Sequence, residues 1–246
     1  MAKTQKLLKP DQLEAFYHDN FVKSQVADFI ALTRSLLNPS FKVIVDIGGG
    51  VGYFAKAIQN AMGLPVRVLD SDIRSIECCK QAGIDAVKDD ALNPTIVGDE
   101  SVICFNLILH HLVSVSEPET RRLQKQALSV WRSTAQIVFV NEYIYESYFM
   151  TNFSGWLIFK ITSSTVLSKI GSFMAKFAPS LKANTFGVGV RFRSHAEWRE
   201  IFASLGFEIV DTVIGRQEDV SLPRRCLLIK NCRRDSFLLK AKSSLQ

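Results

Sequence analysis

The sequence predicts one large α/β domain built around an open, doubly wound sheet, with a helical insertion. Short apolar runs rich in branched residues alternate with segments of helical spacing, the pattern of strands joined by crossover helices. One run, at 43–47, leads directly into a cluster of glycines and then a helix. A long aromatic-rich stretch, 143–193, then interrupts the alternation. A chain of 246 residues suits one such domain with a long insertion.

Composition narrows the classes of function. Hydrophobic residues make up 47% and charged residues 22%, a globular balance without an apolar run long enough to cross a bilayer. The basic N-terminus lacks the apolar core of a secretory signal, and we expect a cytoplasmic protein. The five cysteines form no CxxC pair or zinc-type array, which predicts free thiols and no metal. The basic residues behind the +6 net charge are scattered, which indicates a solvated surface and no nucleic-acid partner.

The first predicted element is a helix within 11–37, in an N-terminal segment that covers 1–40. It is either a packing helix or a flap over a bound cofactor. Tyr17 and Tyr53 are candidate cofactor contacts, with a core aromatic as the alternative for each.

The predicted ligand turn follows the strand at 43–47. Asp46 lies two residues before Gly48, and Gly49, Gly50 and Gly52 complete the turn. Glycines allow the backbone to approach a ligand because no β-carbon holds it away. The spacing differs from the GxGxxG of dinucleotide folds, and no Walker lysine is present.

Two further strands are predicted to end in acids. The strand at 65–70 ends at Asp70, at the separation from the glycines where an acidic residue accepts hydrogen bonds from a ribose. Ser71 and Asp72 can cap the next helix, which leaves Asp70 for a ligand. The third strand, 84–88, precedes an acidic turn that contains Asp90 and Ala91.

The centre of the sheet should be formed by a fourth and a fifth strand. Residues 101–109, which include Asn106, lead to His110 and His111. A capping box from Ser116 opens a helix to about residue 131, and the fifth strand covers 136–141 with Glu142 at its carboxyl edge. Residues 41–142 therefore form the predicted cofactor-binding core.

The stretch 143–193 is interpreted as two or three lid helices over an apolar substrate pocket. Its candidate substrate-binding residues are Tyr145, Phe149, Phe153, Trp156 and Arg193. The alternatives are aromatics that pack the lid onto the sheet, or a lid that lies on a membrane surface, since 153–167 carries only Lys160 as a charge.

The remainder of the core is predicted over 194–232. A capping box at Ser194 opens a helix, 207–214 is the sixth strand, and 224–232 is the last. The basic tail 233–246 is expected to be a short helix or disordered.

The DxGxGxG arrangement and the later acids resemble the class I S-adenosylmethionine (SAM) dependent methyltransferases over about 40–232. The resemblance implies a Rossmann-like, seven-stranded sheet with its last strand antiparallel, and SAM as the cofactor. It also implies that an acid after the third strand accepts the adenine amino hydrogen. The candidate cofactor-binding residues are Asp46, Gly48, Gly49, Gly50, Asp70, Ser71, Asp90, Ala91, Asn106 and Tyr17.

The resulting hypothesis is methyl transfer to a small apolar or aromatic metabolite of secondary metabolism, preferentially at oxygen, by an enzyme that is a candidate homodimer. The candidate bases are His111, His110, His195 and Glu142. His195 falls in a first helical turn, where the dipole favours a neutral ring. One alternative is a SAM-using enzyme that cyclises SAM and releases methylthioadenosine, and another is a non-catalytic binding module. Methylation of a macromolecule is less favoured, because no NPPY-type sequence follows the fourth strand.

Overall fold

The structure is a computed structural model that describes residues 19–36, 40–164 and 189–242. Within these residues, seven strands form one sheet in the order β3-β2-β1-β4-β5-β7-β6. The strands are β1 (Val43–Ile47), β2 (Val66–Asp70), β3 (Asp85–Lys88), β4 (Glu100–Asn106), β5 (Ile137–Ser147), β6 (Phe207–Ile214) and β7 (Ile229–Ala241).

Helices cover both faces of this sheet. They are α1 (Asp19–Thr33), α2 (Tyr53–Met62), α3 (Ile73–Gln81), α4 (Glu117–Ser129), α5 (Phe153–Ser163), α6 (His195–Ser204) and the single-turn α7 (Leu222–Arg225). A 3₁₀ turn at Leu109–His111 follows β4. No helix among the described residues is both long enough and apolar enough to cross a membrane.

The strand pairing confirms the predicted fold class. β1 pairs in parallel with β2 and β4, β2 pairs in parallel with β3, and β4 with β5. β7 lies between β5 and β6 and is antiparallel to both. Successive helices therefore cross from one parallel strand to the next, and the carboxyl ends of β1, β2 and β4 share one edge.

Two large apolar clusters cover the faces of the sheet, one on each side, and a third, smaller cluster lies around Tyr145 and Phe192. On the first face, Phe29 of α1 lies edge-on to Phe54 of α2 and to Phe139 of β5. On the second face, Trp198 and Phe202 of α6 stack on each other against β5 and β7. The sheet is therefore covered on both sides, as its continuous apolar strands predict.

The predicted position of the last strand and the predicted structure of the C-terminal tail are wrong. Residues 222–225 form the short helix α7, and the last strand begins only at Ile229 and continues to Ala241, through the tail that was expected to be helical or disordered. Phe237, Leu238 and Leu239 are buried within this tail. The charged residues within 230–235 interrupt the apolar pattern of a strand in the sequence, because their side chains find partners only in the folded sheet.

The predicted start of the lid is also wrong. β5 continues past residue 141 to Ser147, because β7 pairs with it from Val138 opposite Leu239 to Ser147 opposite Ile229. Tyr143 and Tyr145 therefore belong to the sheet. Of the predicted lid helices, α5 is observed, and the prediction for 165–188 lies outside the described residues.

The structure contains the predicted N-terminal helix and one of the two predicted capping boxes in full. α1 confirms a helix within 11–37, although Tyr17 lies outside the described residues. Ser194 and Glu197 form the complete predicted capping box. Ser116 does accept a hydrogen bond from the Glu119 backbone amide, but the Glu119 carboxylate binds Arg122 and does not return to the cap. The capping box predicted there is therefore only half formed.

The position of β7 between β5 and β6 predicts a large effect of Phe237→Ala on stability. The ring is buried and packs edge-on against Phe202, so we expect the free energy of unfolding to fall by about 3–5 kcal/mol. Lys240→Ala in the same strand is the matched control, with an expected change of about 0.5 kcal/mol or less. Urea unfolding of the two variants measures the difference. Equal small effects would contradict the burial of this tail.

Candidate functional site

The glycine turn after β1 is packed too closely for side chains. Gly48 has a φ of 66° and Gly52 a φ of 82°, both in the left-handed region. A β-carbon on Gly48 would overlap the side chain of Ile108, and one on Gly49 would overlap the carboxylate of Asp46. The Gly48 amide donates to the Leu69 carbonyl at 2.7 Å and so joins the turn to β2. Glycine at these positions therefore lets the backbone pass close over Asp46 and Ile108 at the carboxyl edge of the sheet.

Asp46 lies beneath this turn, and its carboxyl group is buried. Neither of its carboxylate oxygens has a hydrogen-bond donor among the described residues. Burial, together with the charge of Asp70, raises the pKa of Asp46 to about 8. A buried carboxylate of this kind is stabilised by a ligand that brings positive charge or N–H donors.

Two amide side chains extend this arrangement. Asn106 donates its Nδ2 to Gln25 of α1 at 2.9 Å, and Asn141 donates its Nδ2 to the Ser236 hydroxyl at 2.6 Å. The Oδ1 atom of each asparagine is buried and has no donor in the described part of the chain. The pairing of β4 with β5 places Asn106 opposite Asn141. We call Asp46, Asn106 and Asn141 the acceptor face.

Asp70 joins the turn to the end of β2. Its carboxylate accepts from the Gly50 amide at 2.9 Å and from the Asp72 amide at 2.8 Å. Burial raises its pKa, although both hydrogen bonds oppose the shift. The side chain of Asp72 caps α3 by accepting from the Arg74 amide, whereas Ser71 is exposed and makes no cap. Because each carboxylate oxygen has two lone pairs, Asp70 keeps acceptor capacity for a ligand hydroxyl.

The turn after β3 lies beside Asp70. The Asp89 amide donates to the Asp70 carbonyl at 3.0 Å. Asp90 is exposed, and one of its carboxylate oxygens accepts from the Leu92 amide within the turn. Ala91 packs against the apolar core on the second face of the sheet. The second oxygen of Asp90 has no protein partner among the described contacts, and its role at a cofactor stays a prediction.

A buried histidine–carboxylate pair closes the edge after β4. His110 Nδ1 lies 2.7 Å from Glu142 Oε2, and the other oxygen of Glu142 accepts from the Leu109 amide at 2.7 Å. The His111 ring lies 4.2 Å from the His110 ring. Burial and the neighbouring His110 lower the pKa of His111, so its imidazole is neutral at pH 7. Glu142 thus orients one histidine, and the other is available as a neutral base.

His195 belongs to a different contact. Its Nδ1 lies 2.8 Å from Asp235 of β7, and its ring packs 5.0 Å from Phe237. Asp235 also binds Arg233, and these bonds lower the pKa of its carboxyl against the effect of burial. In the described contacts, the His195 ring does not touch His110, His111 or Glu142. The structure therefore does not bring His195 together with the other candidate bases.

Arg193, the predicted substrate anchor, is part of a buried ion cluster. Its guanidinium binds Glu117 at 2.9 Å and Glu197 at 3.0 Å, and Arg191 binds the same two carboxylates at 2.8 and 2.7 Å. Gln124 accepts from Arg193 as well. Both arginines are buried, and burial and Arg191 together lower the pKa of Arg193. The cluster holds residues 191–193 against α4 and α6. The Nη2 atom of Arg193 is buried and has no hydrogen-bond partner among the described residues, so its role in substrate binding stays a prediction.

Three of the four predicted substrate aromatics lie together. Phe149 lies edge-on to Phe153, and Phe153 lies next to Trp156. Phe153 and Trp156 line a cavity of about 540 Å³ beside Glu117 and Arg121 on α4. Tyr145 is apart from this group, because β5 extends through it and it stacks on Phe192 at 4.4 Å. That these side chains bind a substrate stays a prediction.

Two aromatics that the sequence did not single out as a pair do meet the histidines. Phe192 stacks on His110 with ring centres 5.0 Å apart, and Tyr143 lies edge-on to His110 at 6.2 Å. Burial and Glu218 raise the pKa of Tyr143 to about 12. Phe192 lies about fifty residues beyond Glu142 in the chain, and no local pattern indicates this contact. Among the described residues, no group of three His, Cys, Asp or Glu side chains is arranged to hold a metal.

The buried acid predicts an unusual pH dependence of stability for Asp46→Asn. The folded protein holds the Asp46 proton more tightly than the unfolded chain, so this stabilising contribution is complete below the ordinary pKa of about 4. It is lost as the pH rises to about 8. The Asn variant should therefore gain stability relative to wild type as pH rises, and the gain should level off above that value. Urea unfolding from pH 5 to 9, with the exposed Asp219→Asn as control, measures it; a constant difference would contradict the buried neutral acid.

Comparisons with known proteins address the fold. No family model matches the chain, and no curated protein matches it in sequence. Magnesium protoporphyrin IX methyltransferase from Synechocystis PCC 6803, solved with bound SAH, superposes with a TM-score of 0.55 at 16% identity, over 97% of this chain and 90% of its own. Geranyl diphosphate methyltransferase gives a TM-score of 0.55 at 10% identity, over 89% of this chain and 78% of its own.

A third structure is longer than this chain. Mitomycin 7-O-methyltransferase superposes with a TM-score of 0.54 at 12% identity over 90% of this chain, which spans only 53% of that protein. Identities at this level establish the fold and leave the reaction to be argued from the site. The chain therefore has the fold of the class I SAM-dependent methyltransferases, as shown by its strand order, its antiparallel β7 and these superpositions.

Proposed function

We propose that the protein is a SAM-dependent methyltransferase that acts on a small, largely apolar or aromatic metabolite, with oxygen as the favoured acceptor atom. The observation that carries the proposal is the acceptor face beneath the glycine turn. Asp46, Asn106 and Asn141 present buried oxygen atoms that have no donor among the described residues. An arrangement of this kind has no value for sheet packing alone, because each unpaired buried acceptor costs about 1–3 kcal/mol.

SAM fits this arrangement chemically. Its ammonium group offers N–H donors and its sulfonium adds a second positive charge, which together match three unpaired acceptors of which one is a carboxylate. Asp70 retains lone pairs for ribose hydroxyls at the end of β2. Between the acceptor face and Asp70, the glycine turn lets a ligand come close to the backbone, because glycine carries no β-carbon.

The adenine end remains a prediction that several positions support. Asp90 and Ala91 lie in the turn after β3, beside Asp70. Tyr53 begins α2 directly after the glycine turn and is half exposed. Tyr17 stays a candidate from the sequence.

When bound, SAM supplies a methyl group that is already activated by its sulfonium, and the transfer is an in-line displacement. The contribution of the protein is alignment, exclusion of water and, for a hydroxyl acceptor, removal of a proton. His111 is the first candidate for the last task, because its ring is neutral and partly exposed, although its lowered pKa makes it a weaker base. His110 is the second candidate, because Glu142 holds its Nδ1 and leaves Nε2 to accept the proton.

The acceptor class is inferred from the walls around the histidines. Phe192, Tyr143 and Tyr145 form an aromatic group in contact with His110. The structurally similar enzymes are named for mitomycin, magnesium protoporphyrin IX and geranyl diphosphate, which are all small molecules. Secondary metabolism, a cytoplasmic location, a homodimer and the absence of a nucleic-acid partner stay predictions from the sequence.

Cofactor binding is tested by Asp70→Asn and Gly49→Ala. Asp70→Asn removes a charged acceptor, and we expect SAM affinity to fall by about ten- to a hundredfold. In Gly49→Ala the new methyl group displaces the Asp46 carboxylate, with a loss of similar size. Isothermal titration calorimetry of SAM measures both variants, with the exposed Asp211→Asn as control. Wild-type affinity in both variants, or no SAM binding by the wild type, would reject the proposed cofactor site.

The reaction itself is tested by incubating the protein with SAM, alone and with an extract of its source cells, and following adenosine-containing products by mass spectrometry. We expect S-adenosylhomocysteine to rise only with extract, together with a product heavier by one methyl group. Methylthioadenosine formed from SAM alone would replace the proposal with another SAM reaction.

The same assay tests the proposed base. His111→Gln should lower the rate by about a hundredfold or more without changing SAM affinity, because general bases contribute factors of this order. His195→Gln is the comparison, since its ring is held by Asp235 and should leave the rate near wild type. An unchanged rate in His111→Gln would remove this residue from the mechanism.

A further inference from the structure

An exposed apolar surface lies where the chain leaves the sheet after β5. Tyr148, Phe149 and Met150 follow β5 directly, and 60 to 65% of each side chain is exposed. The Tyr148 amide donates to the Leu228 carbonyl at 3.0 Å, which brings the segment before β7 alongside. Leu228 is also exposed, and Leu222 of α7 is 76% exposed.

The start of α5 continues this surface. Phe149 lies edge-on to Phe153 at 5.9 Å, and Phe153 lies 5.6 Å from Trp156, which is also exposed. The aromatic–basic patch is defined by the exposed side chains of Tyr148, Phe149, Met150, Trp156, Leu222 and Leu228, with Lys160, Arg225 and Lys230 among them. Contiguous exposed apolar surface of this kind marks an interaction site in soluble domains.

The segments that form the patch carry only basic charges. Residues 147–164 and 221–230 contain Lys160, Arg224, Arg225 and Lys230, and the acids Glu146, Glu218 and Asp219 flank these ranges. Glu117 and Glu197, which line the cavity beside Met150 and Trp156, are paired with Arg191 and Arg193. Arg224 is paired with Glu218, whereas Lys160, Arg225 and Lys230 are exposed. Lys160 lies 5.7 Å from the Trp156 ring, so a cation and an amphipathic aromatic reach the surface together. Aromatic side chains with basic neighbours suit the interface of an anionic bilayer, where rings enter the headgroup region and cations face lipid phosphates.

The backbone also holds the patch outward. Met150 has a φ of 50° and Leu228 a φ of 57°, in the left-handed region that residues with side chains rarely adopt. Both residues expose their apolar side chains at these positions. Each of these residues carries two free-energy costs, an unfavourable backbone conformation and an apolar side chain exposed to water. Contact with an apolar surface removes the second cost.

We propose that the aromatic–basic patch binds the surface of an anionic lipid membrane peripherally. The patch lies beyond the end of β5, at the same edge of the sheet as the acceptor face, so a docked protein turns this edge toward the bilayer. The proposal rests on the exposed side chains and their charges and does not require that the site use SAM.

The test is co-sedimentation of the full chain with phosphatidylcholine vesicles that contain or lack phosphatidylglycerol. We expect binding to the anionic vesicles that weakens as salt is added, and little binding to the neutral ones. Arg225→Gln with Lys230→Gln should weaken binding by about fivefold for each charge removed. Phe149→Ser with Met150→Ser should weaken it further at high salt, where the apolar contribution remains.

Matched controls carry the same changes elsewhere. Val87→Ser with Val97→Ser removes two exposed apolar side chains outside the patch, and Lys80→Gln removes an exposed charge on α3; both variants should bind as wild type does. Binding that is absent, independent of anionic lipid, or equal in patch and control variants would overturn the proposal. A concentration-dependent dimer that the patch variants abolish, without vesicle binding, would assign the patch to self-association and overturn it as well.

Discussion

The parallel pairing of β1 with β2 and β4 is the constraint on which the site depends. It brings the ends of three strands to one edge, so that Asp46, Asp70 and Asn106 lie around the glycine turn although sixty residues separate the first from the last. The turn must then pass over a buried carboxylate, and only a residue without a β-carbon fits beside it. A positively charged ligand resolves this arrangement, since it satisfies acceptors that the protein leaves unpaired.

A second pairing, that of β5 with β7, organises the rest of the molecule. It draws the end of the described chain into the sheet and extends β5 beyond the common edge. Glu142 lies within this extended strand, where it is buried and orients His110. The ion cluster of Arg191, Arg193, Glu117 and Glu197 fastens the chain that returns to α6. Removal of one partner from such a buried cluster is strongly destabilising, because it leaves a charge uncompensated.

The success of sequence reasoning differed between parts of the site. The glycine turn, Asp46 and Asp70 were predicted because their signals are local: a strand, a turn and an acid at a strand end. Arg193 and Phe149 were assigned to substrate binding because residue type suggested it, and what surrounds their side chains could not be predicted from the sequence. Arg193 lies among carboxylates from α4 and α6, and Phe149 points into solvent. No local pattern indicated that Phe192 would stack on His110.

The sequence by itself determined the order of strands and helices, the doubly wound class and the glycine turn, since apolar periodicity and turn residues act over a few positions. Only the tertiary structure decided that residues 233–241 form a strand inside the sheet. The charges of Arg233 and Asp235 are tolerable there because they pair with each other, with Glu146 of β5 and with His195 of α6. The same holds for the unpaired oxygens of Asn106 and Asn141. Whether a polar atom is satisfied depends on what packs around it, and no property of the residue alone reveals that.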